Sequence, residues 1–190
     1  MDAVTTAERM TAEEFLNLEP LRRSQRRELI DGDVVVSEPT WMHNTFQGRI
    51  YFALAMWVRA GSARGAVGLP LDVLLDAHDV YAPDVVLYRD GRVPRLTDPP
   101  PYAPPDLVVE VRSPSTWRFD IGVKKSLYER RGVAELWLVD TAADAVLVYR
   151  RSHPDAPEFD VSLELDAGAT LVSPLMPGFA LPLAKIFAAD

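Results

Sequence analysis

The sequence places an acidic residue where its pattern predicts burial. Glu110 lies inside the run LVVEV, whose other members are all aliphatic, and such a run is typical of a strand covered on both faces. An ionised carboxylate there costs several kcal/mol unless something compensates it. An arginine such as Arg112 or Arg118 could do so, and so could a metal ion.

A second carboxylate, Asp84, stands at the start of the preceding apolar run, PDVVLY. Neighbouring strands lie about 4.8 Å apart, so pairing of these two strands would bring Asp84 and Glu110 within reach of one hard cation such as Mg²⁺. On the next predicted helix, Asp120, Lys124 and Tyr128 form a polar stripe at helical spacing, which we expect at the helix edge. Lys124 could lean over the carboxylates, or it could only form a helical salt bridge with Asp120.

Two carboxylates and a lysine around Mg²⁺ form a recurrent arrangement for phosphodiester hydrolysis. The metal offsets charge on the phosphate and lowers the pKa of a bound water, while the ammonium orients that water or neutralises developing charge. Glu28, which enters a predicted hairpin, could be a third acid that positions the metal or the water. His43 lies at the start of a predicted helix, where it could be a capping residue or a pocket residue. The arginine-rich segment RRSQRR at 22–27 could bind phosphates, although a solvated face is the more common role of such a run.

These residues need a set of elements to position them, and the sequence predicts mixed α/β structure with helices flanking a central mixed sheet. Thr11 can cap a first helix over residues 12–19, and Asp31-Gly32 indicates a hairpin. A long helix is predicted over 44–60, with Asn44 as its cap, and the next helix over 118–131 has an apolar stripe of Phe119, Val123 and Leu127. Strands are predicted at 66–75, 83–88 and 106–112, then in ELWLVD and AVLVYR, with an edge strand and a short helix near 183–187 at the end.

The composition is that of an ordinary globular protein of 190 residues, with 48% hydrophobic residues, a net charge of −8 and no cysteine. Residues 1–190 are predicted to form a single domain. The absence of cysteine excludes a disulfide scaffold and a thiol nucleophile. No secretion signal or membrane span is evident, so we expect a cytoplasmic location and no membrane partner.

The chain resembles the Uma-type putative restriction endonucleases, a family within the PD-(D/E)xK nuclease superfamily. The segments that carry the resemblance are MTAEEFLNL, ELIDGDVV, His43 before the long helix, PDVVLY, PPDLVVEVRSPST, the D-x-x-x-K-x-x-x-Y pattern that starts at Asp120, and GVAELWLVD. Each segment alone is a weak signal, whereas the ordered set is specific.

The resemblance implies a restriction-endonuclease-like core with an N-terminal helix and hairpin. It further implies that Asp84 and Glu110 bind the metal and that Lys124 is a displaced catalytic lysine. Glu28 and His43 would line the pocket, and Asp120 and Tyr128 would support it. The superfamily more often places its lysine two residues after the glutamate, where this chain has Arg112. Arginine does not act as a base, but it can contact phosphate as a substrate-binding residue.

The expected function is therefore hydrolysis of DNA by water activated on Mg²⁺, with Mn²⁺ as a substitute. A homodimer is plausible because duplex DNA has two strands to cleave. The alternative is a catalytically degenerate nuclease fold that acts as a dimeric binding or scaffold protein, which the net charge of −8 favours because it weakens DNA binding. Residue types leave RNA and small phosphate esters open as substrates.

Overall fold

A computed structural model describes residues 9–22 and 25–188 of the chain. Its helical elements are α1 (Ala12–Leu16), α2 (Trp41–Arg59), α3 (Trp117–Phe119), a π-helical turn (Asp120–Lys124), α4 (Lys125–Arg130) and α5 (Ala184–Phe187). Its strands are β1 (Arg26–Ile30), β2 (Asp33–Ser37), β3 (Ala66–Gly68), β4 (Val73–Asp76), β5 (Asp79–Tyr81), β6 (Val85–Tyr88), β7 (Leu107–Val111), β8 (Glu135–Asp140), β9 (Ala145–Arg150), β10 (Val161–Asp166), β11 (Thr170–Val172) and β12 (Ala180–Pro182). Across these described ranges, no helix has the length and apolar character required to cross a bilayer.

A six-stranded mixed sheet forms the centre of the fold, in the order β10-β9-β8-β7-β6-β3. Strands β7 and β8 are parallel, and the other neighbours are antiparallel. A parallel pair needs a crossover connection, and residues 112–134, which contain α3, the π-helical turn and α4, supply it. The predicted mixed sheet with flanking helices is therefore present.

A second sheet of four strands, in the order β2-β1-β5-β4, packs beside the first, and β11 and β12 form a separate two-stranded ribbon. The prediction of one strand over 66–75 is wrong. The chain leaves the large sheet after β3 and enters the small sheet at β4, and Pro70 lies in the connection, where no ladder hydrogen bond is needed. Strand β5 was not predicted, because a three-residue strand between turns leaves too short a pattern.

Apolar side chains cover both faces of the central sheet. On one face, Val109 and Trp137 pack with α2 and α5 in a core that includes Leu54 and Ile186. On the other face, side chains such as Leu136 pack against α4 and the small sheet. All five residues of β7 are buried, as the continuous apolar run predicts, so Glu110 lies in the interior.

The starts of the first two helices follow from their capping residues. Thr11 caps α1, as predicted, and forms a capping box with Glu14, but the helix ends at Leu16 instead of residue 19. The long helix α2 begins three residues before the predicted start. Thr40, not Asn44, caps it by accepting a hydrogen bond from the backbone N–H of His43.

The helix predicted over 118–131 is interrupted. Gly122 has φ −112° and ψ −105°, which lie outside helical values, and the turn around it is π-helical. The predicted apolar stripe is therefore wrong at Val123, which is 37% exposed. The polar stripe is present, but Asp120 and Lys124 are buried instead of lying at the helix edge. A kink of this kind changes which side chains face the core, and π-helical turns are frequent at functional sites.

Candidate active site

Two neighbouring strands bring the first pair of carboxylates together. Strands β6 and β7 are antiparallel with Val85 opposite Val109, so Asp84 and Glu110 occupy the next opposed positions. Directly opposed residues of an antiparallel pair lie on the same face of a sheet. Both side chains are buried, and both line one cavity at this end of the strands.

The ammonium of Lys124 lies between three carboxylates. Its Nζ is 2.7 Å from Oε1 of Glu110, 2.9 Å from Oδ1 of Asp120 and 3.0 Å from Oε1 of Glu28. The side chain is only 2% exposed, and its ammonium also lies 5.4 Å from the centre of the Tyr81 ring. One buried cation is therefore shared by three carboxylates from β1, β7 and the π-helical turn.

Hydrogen bonds fix the orientation of these acids. Tyr128 on α4 donates to Oε1 of Glu110 over 2.6 Å, so this oxygen contacts both the phenol and the ammonium of Lys124. The backbone N–H of Ala82 donates to Oε1 of Glu28 over 2.8 Å. Tyr128 is fully buried and is not part of the cavity wall.

Asp84 has a separate set of partners. Its Oδ1 accepts from Nη1 of Arg26 at 2.9 Å, and its Oδ2 accepts from the backbone N–H of Val111 at 2.7 Å and lies 3.1 Å from Nε2 of His43. Gln47, one turn further along α2 from His43, donates to the backbone carbonyl of Asp84. Helix α2 thus holds the start of β6 in place through two side chains.

The cavity between these groups has a volume of about 30 Å³, room for roughly two water-sized species. Six of the residues predicted from the sequence line it: Glu28, His43, Asp84, Glu110, Asp120 and Lys124.

The charge balance of the site is negative. Among the residues that the structure describes, Glu28, Asp84, Glu110 and Asp120 pair with two permanent cations, Lys124 and Arg26, which leaves a formal excess of two negative charges in this set. Burial raises the pKa of Glu110 to about 8, and the neighbouring carboxylates add to this rise while Lys124 opposes it. Burial likewise raises the pKa of Asp120 to about 6.

The pKa of Lys124 is also raised, but by neighbouring charges and not by burial. Burial alone would lower its pKa, but the charges of Asp120, Glu110 and Glu28 outweigh burial and raise the pKa well above the ordinary lysine range. The ammonium form is thus the stable form at neutral pH.

The donor set suits a divalent cation by charge and by chemistry. Carboxylate oxygens are the ligands that Mg²⁺ prefers, and Mg²⁺ commonly keeps several waters and binds through one or two carboxylates. Within the described part of the chain, no three acidic or histidine side chains form a ready-made metal cluster. The pair Asp84 and Glu110 therefore matches a site of the two-carboxylate kind, and the excess negative charge would be balanced by one divalent ion.

Two contacts of the site were not predicted. Arg26 belongs to the segment RRSQRR, of which Arg23 and Ser24 lie outside the described residues, and it contacts Asp84 rather than solvent alone. Gln47 bridges Arg26 and Asp84. Both contacts join residues that are distant in sequence. The only feature of the sequence that pointed to Arg26 was the basic run RRSQRR itself.

Arg112 does not line the cavity. Its guanidinium donates to both oxygens of Asp140, over 2.8 and 3.0 Å, and lies over the ring of Trp117. The alternative in which Arg112 neutralises Glu110 is therefore wrong, because Asp140 at the end of the parallel neighbour β8 takes the guanidinium instead. A role of Arg112 in substrate binding stays a prediction.

Comparison with known proteins supplies two matches. The profile of the family Uma2, described as "Putative restriction endonuclease", matches residues 12–184. The crystal structure of a putative nuclease belonging to DUF820 from Anabaena variabilis superposes with a TM-score of 0.77 at 20% identity, covering 94% of this chain and 98% of that chain. A search of curated proteins finds no match. The predicted fold class is thereby confirmed.

Proposed function

Because this chain belongs to the Uma2 family of putative restriction endonucleases, we propose that it is a metal-dependent endonuclease that hydrolyses DNA phosphodiester bonds. The observation that carries the proposal is the placement of Asp84 and Glu110 on paired strands beside the buried ammonium of Lys124. Burying carboxylates and an ammonium together costs free energy. Buried ionisable groups with shifted pKa values cluster at functional sites.

Asp84 and Glu110 would hold the metal, Mg²⁺ or Mn²⁺, through their carboxylate oxygens. Bound there, the ion would supply Lewis-acid stabilisation of the phosphate and a coordinated water of lowered pKa. Glu110 ligates a cation only as a carboxylate, and its pKa of about 8 means that it holds a proton in much of the cation-free protein at neutral pH. Release of this proton would accompany metal binding.

Lys124 would act as a fixed positive charge. Its raised pKa excludes it from serving as a general base at neutral pH, because the ammonium has no lone pair to accept a proton. Its hydrogen bonds to Glu28 keep that acid beside the cavity. The charge of Lys124 would offset the negative charge that builds up on the phosphate or on the attacking hydroxide.

Arg26 and His43 would contact the substrate at the cavity mouth. The side chain of Arg26 is 28% exposed, and although Nη1 binds Asp84 and Nη2 binds Gln47, the N–H groups that these bonds do not use can meet a phosphate oxygen. His43 uses Nε2 toward Asp84, and its Nδ1 has no partner among the described residues. That nitrogen can accept a hydrogen bond from a water in the neutral ring, or donate one to a phosphate oxygen when the ring carries both protons.

Asp120 and Tyr128 would support the site. Tyr128 fixes one oxygen of Glu110, and Asp120 shares the ammonium of Lys124, so each limits how its neighbour can turn. Supporting hydrogen bonds of this kind typically change metal affinity or activity by about 10–100-fold when removed.

The test is cleavage of supercoiled plasmid at low salt with Mg²⁺ or Mn²⁺, alongside calorimetric titration of Mn²⁺ into the protein without DNA. The informative variant is Asp84→Asn, which keeps the shape of the side chain and an acceptor for the N–H of Val111. The matched control is Asp140→Asn, because Asp140 is also paired with an arginine but does not line the cavity.

Loss of cleavage and of Mn²⁺ binding in Asp84→Asn, with both kept in Asp140→Asn, would support the proposal. Cleavage by Asp84→Asn would refute it. Failure of the native protein to bind Mn²⁺ would instead favour the scaffold alternative. Single-stranded DNA and RNA substrates run in parallel separate the substrate classes.

A further inference from the structure

The long helix α2 carries a stripe of residues, three of them large and apolar, on the side that faces away from the sheet. At 3.6 residues per turn its members fall within a sector of about 80°. We call this set the α2 stripe, and it consists of Trp41, Thr45, Gly48, Phe52, Met56 and Arg59.

The largest members of the α2 stripe are unusually exposed. Trp41 is 85% exposed, Phe52 66% and Met56 53%. Single exposed apolar residues are common, but several large ones on one helix face are typical of a protein–protein interface. Tryptophan, phenylalanine and methionine are also the apolar types enriched at the core of such interfaces.

Gly48 lies near the middle of the α2 stripe, where the absence of a side chain leaves room for another helix to come close. Apart from its chain neighbours and the backbone of its own helix, a Cβ placed on Gly48 would meet no atom of the described residues within 4 Å. Glycine is unfavourable inside an exposed helix, so no packing within the described protein explains it there. A glycine with open space above it lets a second helix approach closely at this point.

The ends of the stripe carry opposite charges. Glu38 is exposed just before the N-terminus of α2, and Arg59 is exposed in the last turn. Neither side chain has an ion-pair partner among residues 9–22 and 25–188. In an antiparallel pair of α2 helices, each Glu38 would lie near Arg59 of the other copy.

A groove beside the stripe offers room for a large side chain. It has a volume of about 400 Å³, with Phe52 and Met56 on one wall and Leu181 and Pro182 on the other. In an antiparallel pair whose two-fold axis passes between positions 48 and 49, residues equally far from that point meet. Trp41 of one copy would then lie against Met56 of the other, next to this groove.

From these observations we propose that the α2 stripe is the interface of a homodimer, in which two α2 helices pack antiparallel across Gly48. The stripe is complementary to itself, because a two-fold axis repeats the contact of Trp41 with Met56 and the contact of Glu38 with Arg59. An unrelated partner protein would not require that one helix carry both Trp41 and Met56, and both Glu38 and Arg59, at symmetric positions. The inference does not depend on the proposed nuclease activity.

The first experiment is sedimentation equilibrium of the full chain over a wide concentration series, without metal or DNA. The variant Gly48→Arg is expected to abolish the dimer while the monomer stays folded, because the added side chain enters open space and arginine favours helix more than glycine does. The control is Leu96→Arg, which places the same charge at a fully exposed apolar residue far along the chain.

Charge exchange gives the sharper test. Arg59→Glu alone should raise the dissociation constant of the dimer by roughly tenfold, and Arg59→Glu combined with Glu38→Arg should restore most of the affinity. A native chain that is monomeric throughout would overturn the proposal and leave the stripe to another partner. A dimer that persists in Gly48→Arg would also overturn it, because the interface would then lie elsewhere.

Discussion

The ammonium of Lys124 and the phenol of Tyr128 both contact the same oxygen of Glu110, Oε1, over 2.7 and 2.6 Å. Lys124 ends the π-helical turn and Tyr128 lies four residues later on α4, so the two donors reach the carboxylate from consecutive turns of one helical segment. This shared oxygen ties the crossover segment to β7. It also makes the protonation state of Glu110 depend on both donors.

Replacement of Lys124 should destabilise the fold strongly. The variant Lys124→Met keeps most of the volume but leaves Glu28, Glu110 and Asp120 without their shared cation, and breaking a buried ion pair costs about 3–5 kcal/mol. The measurement is urea denaturation at neutral pH. Lys125→Met is the matched control, because Lys125 adjoins Lys124 but contacts the ring of Tyr149 instead. Equal small losses in both variants would contradict the central role of Lys124.

Stability should fall as pH rises in the absence of divalent ions. The pKa of Glu110 is raised by burial from an ordinary 4.5 to about 8 in the folded protein. The folded state then binds the proton more tightly than the unfolded state, so the contribution is full below about pH 4.5 and is lost as pH rises toward 8. The raised pKa of Asp120, about 6, acts in the same direction.

Thermal unfolding at a series of pH values in a chelating buffer measures this effect. Glu110→Gln has no ionisable group at that position, so its unfolding temperature should depend much less on pH over the same range. Glu164→Gln, at an exposed position on β10, should behave like the native protein. An unfolding temperature of the native protein that does not change with pH would contradict the raised pKa of Glu110.

Removal of the Tyr128 hydroxyl should weaken both the fold and the site. Tyr128→Phe deletes the hydrogen bond to Glu110, which contributes about 0.5–1.5 kcal/mol while Glu110 is protonated and about 1.5–3 kcal/mol once it is ionised. Mn²⁺ affinity should also fall, which calorimetry measures. Tyr88→Phe provides the comparison, because its hydroxyl donates to the carbonyl of Ala103. That control should lose stability without a change in Mn²⁺ affinity.

Arg26 should matter for DNA binding more than for stability. Arg26→Gln removes a partly exposed cation beside Asp84, so affinity for duplex DNA should fall and the dependence of log affinity on log salt should decrease by about one. Fluorescence anisotropy with a labelled duplex over a salt series gives both quantities. Arg95→Gln, whose side chain is 85% exposed and pairs with Asp98, should change neither appreciably. Equal effects in the two variants would mean that only net charge matters.

The sequence predicts the core of the site because burial of a charge leaves a local signature. Glu110 stands in an aliphatic run, and Asp84 opens the run that pairs with it, so strand adjacency alone brings them together. Tyr128 and Asp120 follow from their spacing to Lys124. The catalytic and metal-binding roles of these residues stay predictions, as does the division of the chain into one domain.

Other parts of the structure have no local signature. Nothing in the sequence around Gly122 shows that the helix is kinked there, so the exposure of Val123 was not predictable from helical spacing. The contact of Arg26 with Asp84 joins residues that are 58 positions apart, and only tertiary packing determines it. The separate small sheet likewise depends on pairings between β1, β4 and β5, of which β5 is too short to recognise.

The order of the residues along the chain has a consequence for how the protein is made. Glu28, Asp84, Glu110 and Asp120 all precede Lys124, and the contact between Glu28 and Lys124 spans 96 positions. On the ribosome, Glu28, Glu110 and Asp120 therefore emerge before the lysine that they share, and closing so long a loop is slow. A nascent chain released before α4 would contain mutually repelling acids and no buried ammonium. We therefore expect the N-terminal half to stay incompletely folded until the crossover segment has left the exit tunnel.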